Sequence, residues 1–173
     1  MEKRLLFLFL IISKLDLKNK LEKFYTNLSN RKILQKYIYI FQEIFYKQSL
    51  SYSYNLYIYG PYSPSLTKDL IELHNGESGY GNLAKQYKLG DEITKTIIKM
   101  QQFVAEKAAY ASDLDDISWL ELISTYHYLY EKTYLKYSDR NEKCKEYIES
   151  NKPHLATHID KVHEFLSNHT LLS

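Results

Sequence analysis

Three histidines near the end of the chain, His154, His158 and His163, are the residues whose types and spacing first suggest chemistry. His154 and His158 stand four apart, the spacing by which one helix face can chelate a metal ion. Yet His154 directly follows Pro153 at a helix start, and no cysteine or acidic residue stands at a useful interval. They read as surface or capping histidines, and no metal is expected. Asp113, Asp115, Asp116 and Glu121 cluster acid just before and inside a helical pattern, where the helix dipole favours it, and match no calcium loop. Gly76-Glu77-Ser78-Gly79 lacks the Lys-Ser/Thr pair of a phosphate-binding loop. The single cysteine, Cys144, excludes an internal disulfide and a multi-cysteine metal site. No nucleophile motif and no paired catalytic carboxylates stand out. The expectation is therefore no catalytic residues, no cofactor and no enzyme.

Two constellations suit recognition instead. Tyr59-Gly60-Pro61-Tyr62-Ser63 joins an alternating, strand-like run to a helical one. Pro61 should push Gly60 into extended backbone and stop the strand. Pro64 suits the first helical position, with Ser63 as its N-cap. A stiff corner flanked by two tyrosines could present side chains to a partner, and the five residues are the expected partner-binding site. Arg31, Lys32, Gln35 and Lys36 form the basic, amide-bearing start of a helix, as a DNA-reading helix would. Read plainly, the same four are a solvated face, with Gln35, between apolar rows, as a buried polar tie from helix to strand.

These residues need elements to position them. Arg4 to Leu15 is apolar almost all round and predicts a central helix. Asp16 to Asn27 predicts a shorter one. A long amphipathic helix follows from Ser29-Asn30 to Lys47, with Ile33, Tyr37, Ile40 and Ile44 in one row and Leu34, Ile38, Phe41 and Phe45 in the next. Tyr52 to Tyr59 alternates as an eight-residue strand. Pro64 to Asn75 is helical. The segment 74–90 holds four of the five glycines and reads as a loop or poor hairpin. Helices then run over about 91–111, 117–134 and 139–150, and from Pro153 onward. The fold class is mainly α with a small β element. Helix, helix, helix, strand is the order of a winged helix. A single domain is expected over 1–173, with a winged-helix-like part over 1–90 and a C-terminal helical bundle over 91–173.

Charge is uneven along the chain. Residues 1–50 carry ten basic and four acidic residues, whereas residues 111–173 carry seven and eleven. That allows nucleic acid at the basic end and equally an oppositely charged protein. Only Arg4, Arg31 and Arg140 supply guanidinium, a thin stock for base readout. The start, MEKRLLFLFLIISKLD, resembles a signal peptide but lacks a small-residue cleavage site and is too short to span a membrane. A buried first helix, a cytoplasmic location and no membrane partner are expected.

"RKILQKYIYI" at Arg31–Ile40 and "YIYGPYSPSLTKDLIEL" at Tyr57–Leu73, with "LELISTYHYLYEK" at Leu120–Lys132 and "KPHLATHIDKVHEFL" at Lys152–Leu166, resemble the YwgA-like family of small bacterial and archaeal proteins. That family is similar to the broader SocA/Panacea antitoxin-type domain. The resemblance implies a protein that binds a toxin or other protein partner directly, and brings no catalytic residues with it. Its shared motif falls on Arg31, Lys32, Gln35, Lys36, Tyr59, Gly60, Pro61, Tyr62 and Ser63. The leading reading is a non-enzymatic protein-binding module, antitoxin-like or regulatory, docking through exposed aromatics near the corner. The alternative is a winged-helix DNA-binding regulator using Arg31, Lys32, Gln35 and Lys36.

Overall fold

A computed structural model describes residues 3–47 and 50–172. It is mainly helical, with one two-stranded antiparallel sheet among the described residues. The chain forms two compact units. One comprises 1–54 and 63–104; the other comprises 55–62 and 105–173.

The first unit is built of α1 (Lys3–Lys14), α2 (Lys18–Glu22), α3 (Leu28–Tyr39), α4 (Pro64–Asn75), α5 (Glu77–Ala84) and most of α6 (Asp91–Ala105). α3 runs straight into a π-helical stretch, Ile40–Phe45, where the Tyr46 N–H reaches back to the Phe41 carbonyl. The N-cap of α3 is Asn27, whose side chain accepts from the Ser29 N–H, so the helix starts earlier than Ser29-Asn30 suggested. Leu5, Leu8, Ile12, Leu34, Ile38, Phe41, Leu66 and Leu70 are all buried at the heart of this unit. α1 buries one face through Leu5, Leu8, Phe9, Ile11 and Ile12, while Leu6, Phe7 and Leu10 stay half-exposed.

The glycine-rich 74–90 segment is not a loop or hairpin. Most of it is α5. Gly79 and Gly81 have open space where a Cβ would be, so the glycines are not needed for a turn. One aromatic anchor outweighs their low helix propensity: Tyr80 is buried and its ring lies 6.2 Å from that of Phe9. No wing forms there.

The second unit contains β1 (Asn55–Tyr57), β2 (Gly60–Tyr62), α7 (Lys107–Tyr110), α8 (Asp116–Tyr128), α9 (Arg140–Asn151) and α10 (Ile159–Asn168). α8 continues as a π-helical turn over Leu129–Thr133, and a 3₁₀ stretch over Pro153–His158 leads into α10. α8 and α10 pack on each other around Trp119, Tyr126, Val162 and Phe165, and β2 lies against α8.

The eight-residue strand becomes a hairpin. Its register pairs Asn55 with Tyr62, Leu56 with Pro61 and Tyr57 with Gly60. Pro61 does not end the strand; it sits inside the returning one. In a two-stranded ribbon both strands are edges, where a residue without an N–H is tolerated. Gly60 is not extended either. Its φ is 86°, whereas Ile58 and Tyr59 keep negative φ. The left-handed step that closes the hairpin therefore falls on the one residue there without a Cβ.

Candidate partner-binding site

The hairpin's flanking residues are held from α3 and its π extension. In the first unit, Gln35 accepts from the Ser63 N–H at 3.1 Å and donates to the Ser63 carbonyl at 3.1 Å and to Thr67 Oγ1 at 2.8 Å. Seven residues on, Gln42 repeats the pattern. It accepts from the Tyr52 N–H at 2.9 Å and donates to the Tyr52 carbonyl at 2.8 Å. Each amide supplies one donor and one acceptor to the backbone of a single residue, as a neighbouring strand would. Both glutamines are buried. The sequence suggested a tie for Gln35, and the structure adds Gln42 to it.

Around Tyr52 the polar network continues. Its hydroxyl donates to Asp69 Oδ2 at 2.6 Å, and Arg4 Nη2 donates to Asp69 Oδ1 at 2.9 Å. Burial pushes the Tyr52 phenol well above its ordinary value, and the Asp69 hydrogen bond and charge push the same way, with Arg4 opposing. Ser63 caps α4 as expected, its Oγ accepting from the Leu66 N–H at 3.3 Å with Pro64 in the first turn.

In the second unit, the hairpin presents its apolar side chains outward at the tip. Tyr57, Ile58 and Tyr59 are 51%, 81% and 45% exposed. The Tyr57 and Tyr62 rings meet edge to face at 5.2 Å. The turn beneath is fixed by charge. Lys152 Nζ donates to the Ile58 carbonyl and to Glu121 Oε1, and both Lys152 and Glu121 are buried. An ammonium removed from water needs such partners: a carboxylate and a carbonyl aimed at it. Neither residue was marked by local sequence as a site. Glu121 lies 31 positions from Lys152, with nothing between them to signal the pairing.

The expected site residues divide accordingly. Tyr59 is exposed and Tyr62 half-buried, while Gly60, Pro61 and Ser63 are buried and act as framework. Of the basic quartet, Arg31 is exposed and Lys32 half-buried, but Gln35 and Lys36 are buried. The four do not form one outward surface, because Gln35 is occupied by Ser63 and Thr67 and its side of α3 faces the unit's core. Tyr57 and Ile58, the most exposed residues of the tip, lie just ahead of the expected corner.

The histidines do not converge. His158 is buried with both ring nitrogens engaged: Nε2 at 3.1 Å from both Asp113 oxygens and Nδ1 at 3.0 Å from Thr157 Oγ1. The His158 contact holds the Asp113 carboxyl below its ordinary range. His163 Nδ1 lies 2.7 Å from the hydroxyl of buried Tyr126, which donates to Asn141 Oδ1 at 2.6 Å. Burial, helped by Lys145, pulls the His163 imidazole down. His154 is exposed. Among the described residues, no three His, Cys, Asp or Glu side chains are grouped to hold a metal ion. Cys144 is buried and its thiol is pushed up to about 12 by that burial, so it is not a thiolate near neutral pH. Among the described residues, no helix is long and apolar enough to cross a membrane.

Comparison of the chain with protein-family models, with curated proteins and with solved structures found no match.

Proposed function

We propose that the chain is a non-enzymatic protein-binding module, antitoxin-like or regulatory, that docks its partner through the hairpin tip. The observation carrying this reading is the run Tyr57-Ile58-Tyr59: three consecutive large apolar side chains in solvent, over a turn whose Ile58 carbonyl is tied to a buried ion pair. Exposed apolar clusters mark interaction surfaces. Tyrosines on a constrained backbone supply contact area at low entropic cost, so such residues dominate binding energy when truncated. Tyr62 supports the tip from beneath. The resemblance to antitoxin-type domains points to a toxin as the partner, and the cytoplasm is the setting that fits it.

The test compares wild type with Ile58→Asp and Tyr59→Ala as baits in native extract, with and without nuclease. Both substitutions keep the backbone carbonyl that Lys152 holds, so melting should move little. The expected outcome is a nuclease-insensitive partner captured by wild type and lost with Ile58→Asp. Recovery of the same partner by all three baits overturns the reading. The DNA-binding alternative keeps Arg31 and Lys32 as its outward cations. It requires nuclease-sensitive capture and an affinity falling steeply with salt.

A further inference from the structure

The first unit carries a cleft of about 610 Å³, open on one side, between α1, α5 and the start of α6. Its wall is made by Leu6, Phe7 and Leu10 of α1 together with Leu83, Leu89 and Ile93. These are the residues that leave α1 apolar all round yet only half covered. On α1 the lining positions are Lys3, Leu6, Phe7 and Leu10, one helix face over two turns, or about 10 Å of groove. Lys3 and Lys88 also line the cleft and are exposed. Among the described residues, no carboxylate lines it; Asp91 and Glu92 follow Gly90 on α6 but lie outside it.

The size of the lining decides what class of occupant fits. Ten described residues line it, well short of the roughly 20–30 per side of a stable protein interface. The volume sits inside the roughly 300–1,000 Å³ range of small-ligand pockets. An apolar wall whose described lining carries two lysines and no carboxylate asks for an apolar chain with an anionic head. We propose that this cleft binds a free medium-chain fatty acid, its tail along Leu6, Phe7 and Leu10 and its carboxylate toward Lys3 and Lys88. The proposal concerns the first unit and does not depend on the hairpin tip.

The test uses the full chain and monomeric octanoate, decanoate, decanol and decyltrimethylammonium as probes. Affinity is read from backbone amide shifts. Decanoate should perturb amides of α1, α5 and the start of α6. It should bind about fourfold tighter per added methylene than octanoate and about tenfold tighter than the cationic analogue. Lys3→Glu and Lys88→Glu, both at exposed positions, should erase or invert that head-group preference while leaving the melting curve in place. Equal affinity for anion and cation, no gain from octanoate to decanoate, shifts centred on the hairpin tip, or no binding would each overturn the proposal. So would a charge preference that survives both lysine reversals.

Discussion

Two buried polar devices hold non-helical backbone in this protein, and they differ in charge. In the first unit Gln35 and Gln42 grip Ser63 and Tyr52 with neutral amides. In the second, Lys152 and Glu121 hold the Ile58 carbonyl with a buried ion pair. A neutral amide is cheap to bury once its donor and acceptor are matched. An ion pair is expensive to bury and becomes a liability when one partner is lost. The two units should therefore respond very differently to similar-sized changes.

The largest effect belongs to the ion pair. Glu121→Gln keeps the shape but leaves Lys152 buried with a neutral neighbour, and should destabilise by about 3–5 kcal/mol. The double replacement Glu121→Leu with Lys152→Met removes both charges and should recover most of that loss, as read from denaturant midpoints. If the double variant is no better than the single one, the Ile58 tether rather than charge desolvation dominates. The contrast between the devices then collapses.

Next come the amides. Gln35→Met and Gln42→Met conserve volume but strand a buried N–H and C=O each, for an expected loss of about 1–3 kcal/mol apiece. The neutral device should be insensitive to pH near neutrality, unlike an introduced Gln35→Glu, whose carboxylate would repel the Ser63 carbonyl. Equal losses for Gln35→Met and Glu121→Gln would break the comparison from the other side.

How much of this was readable beforehand follows from the range of each interaction. Ser63-Pro64 announced a helix start correctly because capping and proline geometry are local. Gln35, lying between apolar rows, could be suspected as a tie. Gln42 could not, because a glutamine on an amphipathic helix has no local mark separating solvated from buried use. Lys152 and Glu121 were invisible as a pair for the same reason. The hairpin was mistaken for one strand because a turn of Ile58 and Tyr59 carries no turn residues; the left-handed step was displaced onto Gly60. α5 was missed because its glycines speak locally for a loop, while the contact between Tyr80 and Phe9 that fixes it spans the sequence from α1.

A smaller effect, common to the two units, depends on pH. Tyr52 in the first unit and Tyr126 in the second both have phenols raised chiefly by burial. A raised folded-state pKa means that the neutral form is favoured by folding. Its stabilisation is complete below the unfolded value, about 10 for tyrosine, and is lost as pH rises from there toward the folded value. Stability should thus fall on the alkaline side. Tyr52→Phe should remove the Tyr52 share of that fall and cost about 1 kcal/mol at neutral pH through the lost bond to Asp69. Phenolate absorbance during an alkaline titration should show a late-titrating group disappear. An unchanged alkaline limb would place the sensitivity elsewhere.

The smallest effect tests whether the clamp or the cap holds Ser63. The backbone of Ser63 is gripped on both sides by Gln35, whereas its side chain makes one long capping bond, 3.3 Å to the Leu66 N–H, beside Ser65 Oγ at 3.0 Å. Ser63→Ala removes only the side-chain part and should cost about 1 kcal/mol, less than Gln35→Met. The clamp keeps the segment extended without the cap, and Pro64 still presets the first turn of α4. A Ser63→Ala loss matching or exceeding that of Gln35→Met, measured as a shift in denaturant midpoint, would mean that the helix start positions the strand. The neutral amides of α3 would then follow that geometry rather than impose it.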